Sequence, residues 1–202
     1  MFKQTNALVL KLALASACGA WSGTQASEPT AFDLMKEGNQ YVSVEARDKV
    51  VEIRSEKSVA GVTPTIWYVT YFDRDAKFKA TEVKFGAGKK LEVKRPFHLF
   101  ERAFGDYEVT LDKARLMIDS DRAIGLAVKE PLLDRLTITA TRLKLRRSEK
   151  GEAGDDRLPV WEVELWAAKL AKPNKSAGIG KLILSAEDGK TLENDLKIHR
   201  VD

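Results

Sequence analysis

The sequence predicts an α+β fold in which antiparallel sheets are each packed by a helix. Three observations lead there. Strand-like runs with a two-residue apolar period recur along the chain, most clearly at Thr65 to Phe72 and Val160 to Ala168. Two stretches, Thr30 to Gly38 and Leu111 to Val128, keep helical spacing instead. The two halves of the chain also echo each other.

The chain opens with Lys3 and Lys11 and no acid, followed by an apolar stretch from Leu12 to Trp21 and a small polar exit, Ser22 to Ala26. A charged start, a short apolar middle and a small-residue exit are the three parts of a secretory signal. The apolar stretch is too short for a bilayer core of about 30 Å, which needs roughly 20 residues. Two cleavage points fit. One lies between Ala26 and Ser27, with Thr24 and Ala26 at the small positions. The other precedes Cys18, where Leu14-Ala-Ser-Ala-Cys18 resembles the lipobox of bacterial lipoproteins and makes Cys18 a candidate lipidation site. The expected location is periplasmic or extracellular, with membrane attachment only through Cys18.

Removing the signal changes the chemistry of the remainder. The chain has a single cysteine, so no disulfide and no thiol nucleophile exist after Ala26. Lys3 and Lys11 carry half of the formal charge of +4. Nucleic-acid binding needs a concentrated basic face. The one dense basic run, Arg142-Leu-Lys144-Leu-Arg146-Arg147, alternates like the solvent side of a strand, so no nucleic-acid partner is expected.

Along the folded part, Pro29 opens and Gly38 closes the first helix. Lys49 to Ile53 is β-rich. Thr65 to Phe72 puts Trp67, Val69 and Tyr71 on one face and Tyr68, Thr70 and Phe72 on the other. Phe78 to Phe85 and Lys89 to Lys94 flank Gly86-Ala-Gly88 as a hairpin. Leu111 to Val128 is the expected second helix, bent near Ser120 or Gly125. Leu136 to Arg147 is a strand whose phase slips near Thr141, the mark of a bulge. Val160 to Ala168 carries Trp161, Val163 and Leu165 on one face and Glu162, Glu164 and Trp166 on the other. Lys181 to Ala186, the Asp188-Gly189 turn and Leu196 to Val201 form a last hairpin.

The repeat pairs Trp67-Tyr-Val69 with Trp161-Glu-Val163, and Gly88-Lys-Lys-Leu-Glu92 with Gly189-Lys-Thr-Leu-Glu193. Upstream, Asp48-Lys-Val-Val-Glu-Ile53 parallels Asp121-Arg-Ala-Ile-Gly-Leu126. Helix, sheet with Trp-x-Val, and a strand running into an acidic Gly turn together resemble the PepSY domain. The match covers Leu111 to Glu193, through Pro159-Val-Trp161-Glu-Val163 and Leu182 to Leu192. Where the family has an Asp-Ala-x-Thr-Gly turn, this chain has Ser185-Ala-Glu-Asp-Gly189. The resemblance implies two tandem cystatin-like units, residues 27–97 and 98–202, after a signal at 1–26. It also implies an envelope or secreted location, and peptide binding or peptidase inhibition rather than catalysis.

No residue set names a reaction. The two histidines, His98 and His199, have no cysteine partners and no His-Glu-x-x-His spacing, so no metal or cofactor is expected. Asp119 and Asp121 are two apart on a helix and point in different directions. Asp155 and Asp156 sit in a charged loop. Gly88-Lys89 and Gly189-Lys190 lack the upstream glycine of a phosphate loop. The aromatic residues are what remain. Trp67, Val69, Trp161 and Val163 are the expected core, and Tyr68, Thr70, Phe72 and Trp166 the candidate binding face. The expected function is an exported, non-catalytic protein that binds a peptide or protein, with an envelope peptidase as one candidate target. A lipid-anchored scaffolding protein of the envelope is the alternative, and a hydrolase relying on His98 is the enzymatic one.

Overall fold

A computed structural model describes residues 28–95, 110–149 and 158–201. The signal residues, Cys18, Ala26, Ser27, His98, Asp155 and Asp156 all lie outside them.

The first helix, α1 (Ala31–Gly38), starts where its sequence says. Thr30 Oγ1 accepts from Asp33 N at 3.3 Å, and the Asp33 carboxylate accepts from Thr30 N at 3.2 Å. This reciprocal box satisfies two of the amide donors that a helix start leaves unpaired. At the other end, the Tyr71 hydroxyl donates to Met35 O at 2.7 Å. A Cβ on Gly38 would sit 2.2 Å from the Tyr71 hydroxyl oxygen, so the close approach requires glycine. Burial pushes the Tyr71 hydroxyl above its ordinary pKa and keeps it a donor.

The second helix is shorter than its spacing predicts: α2 spans Ser120–Ala127 only. Upstream, Asp112 accepts from Ala114 N and sets a single 3-10 turn, Lys113–Arg115. Met117 N and Ile118 N then both donate to Ala186 O instead of to their own chain segment. Local side-chain bonds and the carbonyl of Ala186, just past the end of β7, thus outcompete the helix over this stretch.

The strands are β1 (Val50–Ser55), β2 (Ile66–Phe72), β3 (Ala80–Gly86), β4 (Lys89–Lys94), β5 (Leu136–Arg147), β6 (Pro159–Lys169), β7 (Ala177–Ser185) and β8 (Thr191–Leu196). The slip in β5 falls between Ile138 and Ala140, close to Thr141. The closing strand ends at Leu196, and Ile198–Arg200 is a 3-10 turn rather than a continuation.

All eight strands form one antiparallel sheet in the order β4-β3-β2-β1-β5-β6-β7-β8. This corrects the expectation of separate sheets, each packed by its own helix in tandem cystatin-like units. The halves are fused along β1 and β5, where Ile53 faces Leu145 and Arg54 faces Lys144. Two hydroxyls extend the seam: Ser55 Oγ accepts from Leu143 N, and Ser58 Oγ from Thr141 N, both at 2.9 Å. The physical reason is edge removal. As separate sheets, β1 and β5 would each expose a row of unpaired backbone groups beside apolar side chains. Paired, Ile53, Leu143 and Leu145 are fully buried. Two helices of eight residues are also too short to cover a sheet each.

Both helices lie on one face of this sheet, over a single core drawn from both halves. Phe32 of α1 stacks on Trp161 of β6, with ring centroids 6.4 Å apart. Trp67, Val69, Trp161 and Val163 are all buried there. The repeat marks fall at matching places in the two meanders. Trp67 is on β2 and Trp161 on β6, the second strand of each. Their indole N–H groups donate to backbone carbonyls, Pro64 O at 3.0 Å and Ile118 O at 2.7 Å. Gly88 and Gly189 take positive φ, 74° and 78°, in the β3–β4 and β7–β8 turns. The upstream echo fails, because Val50 to Ile53 lies in β1 whereas Asp121 to Leu126 lies in α2.

Candidate binding face

The face opposite the helices is polar. Alternation along each strand dictates this, because Trp67, Val69 and Tyr71 turn inward and send Tyr68, Thr70 and Phe72 outward. Cross-strand register then builds rows. Lys84, Tyr68, Arg54, Lys144 and Glu162 follow one another across β3, β2, β1, β5 and β6. Arg142, Glu164, Lys181 and Asp195 form a second row across β5 to β8.

Cations and carboxylates interleave across the strands. Arg54 reaches Glu82 at 2.8 Å, and Lys144 reaches Glu52 at 3.0 Å. Arg142 meets Glu164 at 2.6 Å, and Arg146 meets Glu162 at 3.1 Å. Lys181 also approaches Glu162, at 3.7 Å. The basic run of β5 is therefore laced to glutamates on both neighbouring strands, and no unbalanced basic face results.

The outward rings of Tyr68 and Trp166 sit among cations. The Arg54 guanidinium lies 3.9 Å from the Tyr68 ring centroid, with Lys84 Nζ at 5.1 Å. Lys57 Nζ lies 4.4 Å from the Trp166 ring, and Arg142 is at 5.9 Å. Such contacts are favourable because the ring face carries negative charge density. The Tyr68 hydroxyl donates to Glu56 Oε1 at 2.5 Å. That bond, with Lys84 and Arg54 nearby, holds the Glu56 carboxyl below its ordinary range. Lys84 is raised, first by Tyr68 and then by Glu56.

Of the four residues expected on the binding face, Tyr68 and Trp166 are half-buried, and Thr70 and Phe72 are buried. Tyr68 and Trp166 are not neighbours either. They stand on β2 and β6, three strand spacings or about 14 Å apart across the sheet. The space between them holds ions rather than an aromatic groove. The alternations Glu52-x-Arg54-x-Glu56, Arg142-x-Lys144-x-Arg146 and Glu162-x-Glu164 were the available signal for this lattice. Each has the two-residue period of an outward strand face.

Among the described residues, no three His, Cys, Asp or Glu side chains converge on a point that could hold a metal ion. His199 sits in the final 3-10 turn. Asp119 is the N-cap of α2 and Asp121 lies in its first turn, so they do not face each other as a catalytic pair. Among the described residues, no helix is long and apolar enough to cross a membrane. In comparisons with family models, curated proteins and solved structures, nothing matched this chain.

Proposed function

We propose that this chain is an exported binding protein, without catalytic chemistry of its own, that takes a peptide or protein partner on the outer face of its sheet. The observation behind this reading is the pair of cation-flanked rings, Tyr68 and Trp166, on the face that the helices leave uncovered. Tyrosine, tryptophan and arginine are the residues enriched where protein interfaces concentrate their energy. Because the ions of the face are already paired, a polyanion gains little by binding there. A protein surface can instead cover the rings and extend the hydrogen-bonded rows. The PepSY resemblance names an envelope peptidase as one partner of this kind, but the sheet face carries the proposal.

The test is quantitative affinity capture from an envelope extract, comparing the wild type with the Tyr68→Ala/Trp166→Ala variant. The proposal expects at least one protein to be retained by the wild type and lost from the variant. Identical partner lists at equal loading would count against it.

A further inference from the structure

The two edge strands of the sheet carry opposite charge. Among the described residues, β4 and β8 are its edge strands. They are the same length, six residues each, and occupy equivalent places as the fourth strand of each meander. Within the strands, β4 holds Lys89, Lys90 and Lys94 against Glu92, which Lys94 meets at 2.8 Å, whereas β8 holds Glu193 and Asp195, with Lys190 and Lys197 just outside its ends and Lys197 meeting Asp195 at 3.3 Å. All of β4 is exposed, including Leu91 at 55% and Val93 at 42%. Lysine on an edge strand blocks pairing with another basic edge, yet an acidic edge of matching length removes that block.

Direction agrees with charge. Every neighbouring pair in the sheet is antiparallel and the strand number is even, so β4 and β8 run in opposite directions. A second copy in the same orientation therefore brings its β8 antiparallel to β4 and keeps its helices on the same face. Register also places the charges on one face. Lys89 and Lys94 face Gly86 and Glu82, and Glu193 and Asp195 face Ile183 and Lys181, all pointing away from the core.

We propose that a second copy of this chain pairs its acidic β8 edge with the basic β4 edge, continuing the sheet from one molecule to the next. Backbone hydrogen bonds supply the affinity, and the charges choose β8 over another β4. Such a contact is heterologous, so it builds chains or rings of copies rather than a two-fold dimer. It is independent of the partner proposed for the outer face.

Sedimentation velocity on the full chain, purified as its expression host processes it, tests this. The expected result is a sedimentation coefficient that rises with protein concentration, less steeply at high salt because exposed charge pairs are screened. The Lys89→Glu/Lys94→Glu variant and the Glu193→Lys/Asp195→Lys variant should each lose that rise while keeping a wild-type unfolding midpoint. Mixing the two variants in equal amounts should restore it, because each then offers the edge the other needs. A wild type that stays a single chain at every concentration overturns the proposal. So does association that either variant alone retains, or variants that stay apart on mixing while the wild type associates.

Discussion

The Asp119 carboxylate, in the second half of the chain, accepts the Phe32 amide of the first half at 3.2 Å. The same Oδ1 accepts from Ser120 N at 2.6 Å and caps α2. Ser120 Oγ in turn accepts from Ala31 N at 2.9 Å. Two helix starts thus share one pair of side chains, and the second half satisfies donors that the first half supplies. Asp119→Ala should cost more than an ordinary cap, about 2 kcal/mol, because an α1 donor is orphaned along with the α2 cap. Urea unfolding monitored by tryptophan fluorescence reads this, and Asp119→Asn should recover part of the loss.

The Tyr71 and Gly38 pair makes a second prediction. Gly38→Ala forces a Cβ against the buried hydroxyl and should destabilise by about 1–3 kcal/mol. Tyr71→Phe removes the bond to Met35 O and should cost about 1 kcal/mol. In the double variant the 2.2 Å contact is gone and only the ring carbons at 3.0 and 3.2 Å still crowd the Cβ, so the two losses should not add. Equilibrium unfolding of the three variants gives the coupling directly.

At the seam, Leu145 faces Ile53 and both are fully buried. Leu145→Ala should cost about 2–5 kcal/mol. The loss should appear as a shift of one unfolding transition, since the core spans both halves. Two transitions, only one of which shifts, would show halves that fold separately.

Asp188 makes a pH-dependent prediction. Lys190, bonding through its side chain, then Ser185 and the Lys190 backbone hold its carboxyl at about 2, below its ordinary 3.8. A depressed folded pKa contributes stability above the unfolded value, and that stability is lost as pH falls from near 4 towards 2. Carbon-detected NMR titration should show Asp188 titrating late. Lys190→Gln should move it back towards 3.8, lowering stability above pH 4 and removing this group's loss of stability as pH falls through that window.

Local pattern carried much of the fold. The first helix between Pro29 and Gly38, the β2 and β6 alternation and the Asp188-Gly189 turn each follow from a few adjacent residues. The fusion of the halves does not, because nothing in Ile53 or Leu145 alone says that they meet. Pairing at a sequence separation of that size depends on which edges remain exposed once each meander has formed. The second helix was overestimated for a related reason: the acceptor of Met117 N and Ile118 N is Ala186 O, far along the chain. At the candidate face, Tyr68 and Trp166 were legible as outward aromatics. The rings' cationic neighbours were not, because Arg54, Lys84, Lys57 and Arg142 come from three different segments. Thr70 and Phe72 show that an outward position on a strand does not guarantee exposure.

The central claim, that the outer sheet face meets a protein partner, is tested most directly by site-specific photo-crosslinking in producing cells. A photoreactive residue at the exposed Arg142, beside Trp166, is compared with one at Lys36, exposed on α1 in the helix layer. The account predicts a protein adduct from position 142 and none from position 36. An adduct from position 36 alone, or equal adducts from both, would contradict it.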